Sequence, residues 1–278
     1  MFKLCEYQEL KIAHFKEFGA LLEENAGDEK RVLLPSKEVP EGAKAGDTVK
    51  VFLYLDSKDR PIATTKEPLI TLDQVKPLTV KDVTKIGLFL DWGLPKDLLL
   101  PFHEINGRPE KGDEILVRLY IDKSGRPAAT MRHLYHYLRT DSPYKRDDEV
   151  NGRIYEFGHD FGTFVAVDDI FSGMIPRHED TGNYRIGDVI TLRVTDVKLD
   201  GKLALTTRKD AYLELDDDGS KIMAIIDSYA GVLPFSEKAS PEVIKRETGL
   251  SKAAFKRAIG HLYKEHRITL DEGKIRKA

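Results

Sequence analysis

The chain has 278 residues, 41% of them hydrophobic and 33% charged, with 44 Lys and Arg against 47 Asp and Glu and a formal net charge of −3. That balance describes a globular chain with much surface, and the single Cys5 excludes an internal disulfide and any cysteine-rich zinc site. No leader-like apolar stretch and no run of about eighteen apolar residues occurs, so a cytoplasmic location and no membrane partner are expected.

Three times a proline is followed eleven residues later by Gly-Asp: Pro35 with Gly46-Asp47, Pro101 with Gly112-Asp113, and Pro176 with Gly187-Asp188. Each proline follows an apolar triplet (Val32-Leu33-Leu34, Leu98-Leu99-Leu100, Gly173-Met174-Ile175) and precedes a glutamate by three (Glu38, Glu104, Glu179). After each Gly-Asp the composition predicts a strand: Thr48 to Leu55, Glu114 to Ile121, and Val189 to Val197. A charged turn follows, then a last strand ending in Thr64-Thr65-Lys66, Thr130-Met131-Arg132 or Thr206-Thr207-Arg208. Short alternating strands separated by Gly, Pro and Asp read as small antiparallel barrels. A period this long reads as separate beads on a string, in preference to one continuous stack. The boundaries expected are 1–66, 67–134 and 148–210 for three units and 218–278 for a fourth of different character, with linkers near Glu67 to Thr71 and Tyr135 to Asp147.

In the third unit stand Asn151-Gly152-Arg153-Ile154, Phe161-Gly162-Thr163-Phe164-Val165 and Tyr184-Arg185-Ile186-Gly187-Asp188. These elements resemble the S1 RNA-binding domain, a five-stranded OB barrel, most fully over residues 148–210. Phe18-Gly19-Ala20-Leu21-Leu22 and Ile86-Gly87-Leu88-Phe89-Leu90 are weaker matches in the first two units. If Val165 and Val167 face the core, alternation turns Phe164 outward, and Gly162 lets Phe161 approach the same surface. Unpaired bases stack on such rings. Phe89, with Trp92 nearby, and Phe18 are the corresponding candidates in units two and one. Trp92 reads either as a stacking platform or as core or inter-domain packing.

The resemblance implies a histidine after the third strand. Proline fills that slot here, and His103 and His178 stand two residues later, as substitutes or as plain surface histidines. It also implies an Asp and an Arg in the last turn, matched by Asp56 with Arg60 and by Asp122 with Arg126. Lys198 and Lys202 take those places in unit three, with Arg208 beyond them.

From Ser220 onward 12 Lys and Arg face 7 Asp and Glu, whereas the rest of the chain has 32 against 40. A basic tail on an acidic triplet suggests a polyanionic partner. Ile222, Ile225, Ile226 and Tyr229 form one apolar stripe. Ser240-Pro241 starts a helix that ends near Gly249, and Leu250-Ser251 opens another. That second helix carries Phe255, Ala258, Ile259 and Leu262 on one side and Lys252, Lys256, Arg257 and Lys264 on the other. A hairpin with Arg267, Lys274 and Arg276 follows. Together this resembles a winged helix. Three S1 units and a winged helix in this order resemble the conserved virulence factor B family, which implies RNA binding and post-transcriptional regulation.

No phosphate-binding loop, nucleophile elbow or His-Glu-x-x-His occurs. His133 and His136 lack a third ligand nearby, and the acidic runs Asp147-Asp148, Asp168-Asp169 and Asp216-Asp217-Asp218 read as solvated loops. Neither catalysis, a metal nor a cofactor is expected. The fold class expected is mainly β, three tandem S1/OB five-stranded barrels followed by a small α+β winged helix. The partner expected is single-stranded RNA, with DNA or ribonucleoprotein components as alternatives, and a protein-interaction scaffold as the rival reading.

Overall fold

The computed structural model describes all residues except 1, 159, 181, 183, 208–210, 237 and 272–273, and all side chains except those of 211–217 and 271 besides. It divides into two compact units, Met1–Thr207 and Arg208–Ala278.

The first unit repeats one plan three times. Strands β1 (Tyr7–Lys16), β2 (Gly19–Glu23), β3 (Val32–Pro35), β4 (Thr48–Leu55) and β5 (Pro61–Thr64) form a closed barrel in the order β1-β2-β3-β5-β4. Strands β6 (Val75–Val83), β7 (Gly87–Asp91), β8 (Leu98–Pro101), β9 (Glu114–Ile121) and β10 (Pro127–Thr130) keep the same neighbours, with β8 and β10 side by side at the edges. Strands β11 (Glu149–Gly158), β12 (Gly162–Val167), β13 (Phe171–Pro176), β14 (Val189–Val197) and β15 (Leu203–Thr206) close the third barrel. Each strand predicted to follow a Gly-Asp falls on the observed β4, β9 or β14.

The repeated letters explain the closure. The three prolines pair across the ladder with Gly19, Gly87 and Gly162. Those glycines hold φ of +150°, +154° and +129°, and a Cβ on them would lie 2.0–2.2 Å from the carbonyl oxygens of Leu34, Leu100 and Ile175. Only glycine lets the two strands approach so closely there. Each Gly-Asp closes a turn onto the first strand: the amides of Gly46, Gly112 and Gly187 donate to the carbonyls of Ile12, Val80 and Ile154. At those same residues β1, β6 and β11 are bulged. The bulge lets one strand serve two neighbours around the barrel corner. Glu38, Glu104 and Glu179 then accept from the hydroxyls of Thr64, Thr130 and Thr206 at 2.5, 2.6 and 2.9 Å, tying the turn after the third strand to the last one.

Each unit forms its own five-stranded sheet, as expected, but the units pack together: one apolar cluster joins the interiors of the second and third barrels to Cys5, Phe52 and Tyr54 of the first, whose own interior is a separate cluster. Trp92 packs against Phe52 and Tyr54 of the first barrel. Between the second and third, buried Arg153 bonds Asp169, the Glu114 carboxylate and the Glu114 and Gly187 carbonyls. Leu134, which opens a short 3-10 turn, and Leu138 beyond it bury against Leu116, Tyr155 and Ala166. Asp169, expected in a solvated loop, is therefore part of a buried latch.

The second unit contains helices α1 (Ala211–Ser228), α2 (Pro241–Thr248) and α3 (Lys252–Lys264). Strands β16 (Val232–Leu233), β17 (Ile268–Asp271) and β18 (Lys274–Lys277) form a sheet in the order β16-β18-β17. The Ser240 and Ser251 hydroxyls cap α2 and α3, and Gly249 ends α2 with φ +73°. Ile222, Ile226, Phe255, Ala258, Ile259 and Leu262 share one core. Tyr229 lies past the end of α1, and its hydroxyl donates to Glu247. The acidic run 216–218, expected in a loop, falls within α1.

Candidate functional site

Each barrel carries a groove at the same place, over the middle of its third strand and beside its last turn. In the third barrel, strict alternation sends Val165 and Val167 into the core and leaves Phe164 half-buried on the outer face of β12. Phe161 precedes Gly162 and is 71% exposed. Met174, the middle residue of its apolar triplet, lines the floor, and Lys198 and Lys202 in the β14–β15 turn form the rim. These residues enclose about 380 Å³. Four candidates chosen from the sequence, Phe161, Phe164, Lys198 and Lys202, thus meet in one cleft.

The rim is not bare charge. Lys198 pairs with Asp196 at 2.9 Å and Lys202 with Asp200 at 2.7 Å. The lysine beside each holds both carboxyls below the usual carboxylate range. Tyr135, from the segment after β10, lies 6.0 Å from Phe164 in a stacked pair and completes one wall. Sequence reasoning missed Tyr135, because it belongs to a stretch with no counterpart in the other units.

In the first barrel, Phe18 and Arg60 line the equivalent groove of about 580 Å³. Phe18 is exposed and Leu21 takes the place of the second ring. Asp56 receives the Arg60 guanidinium at 2.7 Å and 2.9 Å, and these bonds hold its carboxyl down to about 2. In the second barrel, Phe89 and Arg126 line a smaller groove of about 210 Å³. The tip of the first barrel's last turn enters it: Asp59 bonds Lys96 at 2.7 Å and Arg126 at 3.0 Å.

Trp92 requires a correction. It is 2% exposed, its ring sits between the first two barrels, and its indole N–H donates to the Lys96 carbonyl at 2.5 Å. A ring so enclosed cannot receive a base, and the inter-domain alternative is the one realised. The exposed imidazoles of His103 and His178 lie beside Glu104 and Glu179 at 3.4 and 3.7 Å, away from the groove linings. Arg208 lies outside the described residues.

On α3 the outer face presents Lys252, Lys256, Arg257 and Lys264, opposite the buried Phe255 and Leu262. Lys252 donates to the Ala239 carbonyl, and half-buried Arg267 pairs with Glu265 at 3.4 Å. Lys274 and Arg276 are exposed on β18.

The S1 domain family matches residues 5–66 and 74–132, and the CvfB-like winged helix domain matches residues 220–276. The S1 match thus falls on the two units rated weaker from sequence, while the third shares their strand order. The uncharacterized protein YitL of Bacillus subtilis is 33% identical over 276 residues, 95% of this chain and 90% of the relative. Conserved virulence factor B of Staphylococcus aureus is 30% identical over 246 residues, covering 84% and 80%. A Streptococcus pneumoniae structure, described as a multidomain protein with nucleic acid binding domains, aligns over 99% of this chain and 98% of its own. Its TM-score is 0.56 at 26% identity.

Proposed function

Because the chain belongs to the conserved virulence factor B family, we propose that it is a non-enzymatic RNA-binding protein. On this reading it takes up single-stranded RNA by base stacking and phosphate contacts and regulates gene expression after transcription. The observation that carries the reading is the third-barrel groove, where Phe161 and Phe164 stand beside Lys198 and Lys202. One exposed and one half-buried ring beside two lysines suit a strand that offers flat bases on one side and phosphates on the other. The S1 matches on the first two barrels and the nucleic acid binding domains of the pneumococcal relative support the same class of ligand.

The test is a titration of labelled oligouridylate against the protein and its Phe161→Ala/Phe164→Ala variant. Each lost stacking contact removes about 1–3 kcal/mol, so affinity falls about 5- to 140-fold per base. Unchanged affinity in a variant with an unaltered melting temperature refutes the groove as the site.

The outer face of α3 favours a second reading, a winged helix that grips DNA. Lys256, Arg257 and Lys264 are exposed on that face, and α3 follows α2 through a tight turn at Gly249. Competition between duplex DNA and single-stranded RNA separates the two: displacement of RNA only by RNA supports the first, and tighter duplex binding supports the second.

A further inference from the structure

A second groove, of about 500 Å³, opens on the second barrel and the turn that follows it. Tyr135 lines both this groove and the one on the third barrel. We propose that a single strand of RNA seated in the third-barrel groove continues across Tyr135 into this second groove. There its bases stack on the rings of the 133–137 turn and its phosphates meet Arg118 and Arg132. The inference rests on the proposed function and extends its site from one barrel to two.

The rings are arranged as a path. From Phe164 the Tyr135 centroid is 6.0 Å away, and from Tyr135 that of His136 is 4.2 Å away. His133 lies 6.0 Å from Tyr135 and 6.4 Å from His136. Tyr137 is exposed on the same turn, with the Arg118 guanidinium 4.1 Å from its ring centre. The rings are turned 23–79° to one another, so each offers a separate face along the path.

The path is rigid where it must be. Leu134 and Leu138 bury the turn against Tyr155 and Ala166, and His133 adopts a left-handed φ of +56° that reverses the chain. A platform held this way loses little freedom when a base lands on it. His133, His136 and Tyr137 stay outside this buried anchor.

Charge selects the ligand. Arg132 is exposed, with its Nε donating to the His103 carbonyl, and half-buried Arg118 is held by Asp73 at 2.7 Å through one terminal nitrogen, its Nε being buried. The acid in the lining is Glu104, whose Oε2 already accepts from Thr130 and whose Oε1 faces His103. Several ring faces flanked by two guanidiniums suit a polynucleotide better than a peptide, which offers one aromatic at a time.

The test compares oligouridylates of about 4 and about 10 nucleotides, the shorter filling one barrel site. The full-length protein binds the longer strand more tightly, and Arg132→Ala/Tyr137→Ala removes that gain, about 5- to 140-fold, without changing affinity for the shorter strand. Tyr137→Phe keeps the ring and keeps the gain. In the unmodified protein, a photoreactive uridine near one end of the longer strand cross-links to residues 133–137. Absence of a length effect in the wild type, or a length gain that the double variant keeps together with no cross-link to the turn, overturns the inference. Those results leave the third-barrel groove standing if Phe161→Ala/Phe164→Ala still weakens the shorter strand. No sensitivity to that pair overturns both.

Discussion

Replacement of Trp92 by alanine separates packing from recognition. The indole is sealed between barrels, with edge-on contacts to Phe52 and Tyr54 at centroid distances of 6.2 Å and one hydrogen bond to the Lys96 carbonyl. Removing a buried aromatic of this size costs about 3–5 kcal/mol, including the cavity left behind. For a unit of some 200 residues (Met1–Thr207) each kcal/mol is worth about 2–4 °C, so the melting temperature falls by about 6–20 °C. Trp92→Phe keeps a ring but leaves the carbonyl without its donor, a smaller loss of about 1–3 kcal/mol. The assay is thermal unfolding by circular dichroism, read beside an oligouridylate titration at a temperature where both variants are folded. RNA affinity stays within a factor of about two, because Phe161 and Phe164 lie on another barrel. A variant that melts like the wild type but binds RNA weakly refutes the reasoning and makes Trp92 a contact residue.

Gly162→Ala drives a Cβ to within 2.1 Å of the Ile175 carbonyl and forces β12 away from β13, whereas Gly112→Ala meets open space and bears only backbone strain, about 1–3 kcal/mol. The first variant melts below the second and loses RNA affinity with it; equal melting temperatures contradict the close-approach argument. Burial pushes the Cys5 thiol up to about 12. Its folded value exceeds the unfolded one of about 8.5, so its contribution is whole below that pH and is lost as pH rises toward 12. An aromatic disulfide reagent at pH 8 therefore labels the protein only as denaturant unfolds it, and the urea midpoint falls between pH 8 and pH 10; prompt labelling of the native protein contradicts this.

What the sequence made legible was what the copies share. Pro35, Pro101 and Pro176 and their Gly-Asp partners mark closure points that every barrel of this kind must solve, so they recur and can be aligned by eye. The winged-helix elements were legible for a related reason: Ser240, Gly249 and Ser251 are local caps whose chemistry needs no distant partner. Contacts between barrels follow the opposite rule. Trp92, Arg153, Asp59 and Tyr135 act on a different barrel from the copy in which each sits, or on the segment joining two copies. Comparing copies with one another discards such residues as noise. The three separate barrels were legible, but the packing between them and Tyr135 were overlooked for this reason.

The same groove occurs three times, and its neighbours decide its use. In the first, two nitrogens of Arg60 already bond one oxygen of Asp56, whose other oxygen is fixed by the Lys58 and Arg60 amides, so a phosphate must displace a carboxylate held in place by the turn. In the second, Asp59 from the barrel before it bridges Lys96 and Arg126, an internal anion where a phosphate would otherwise sit. In the third, the two cations are lysines, each pairing with an aspartate only two residues away through a flexible stem. An ammonium can turn from such a partner to a phosphate without losing a two-point match, because it never had one. The third groove also has a second phenylalanine, Phe164, on its second strand, where the first barrel has Leu21. On the proposed reading, acidic barrels hold an acidic polymer by stacking, and the third groove, whose cations are loosely engaged, is the one expected to add phosphate contacts.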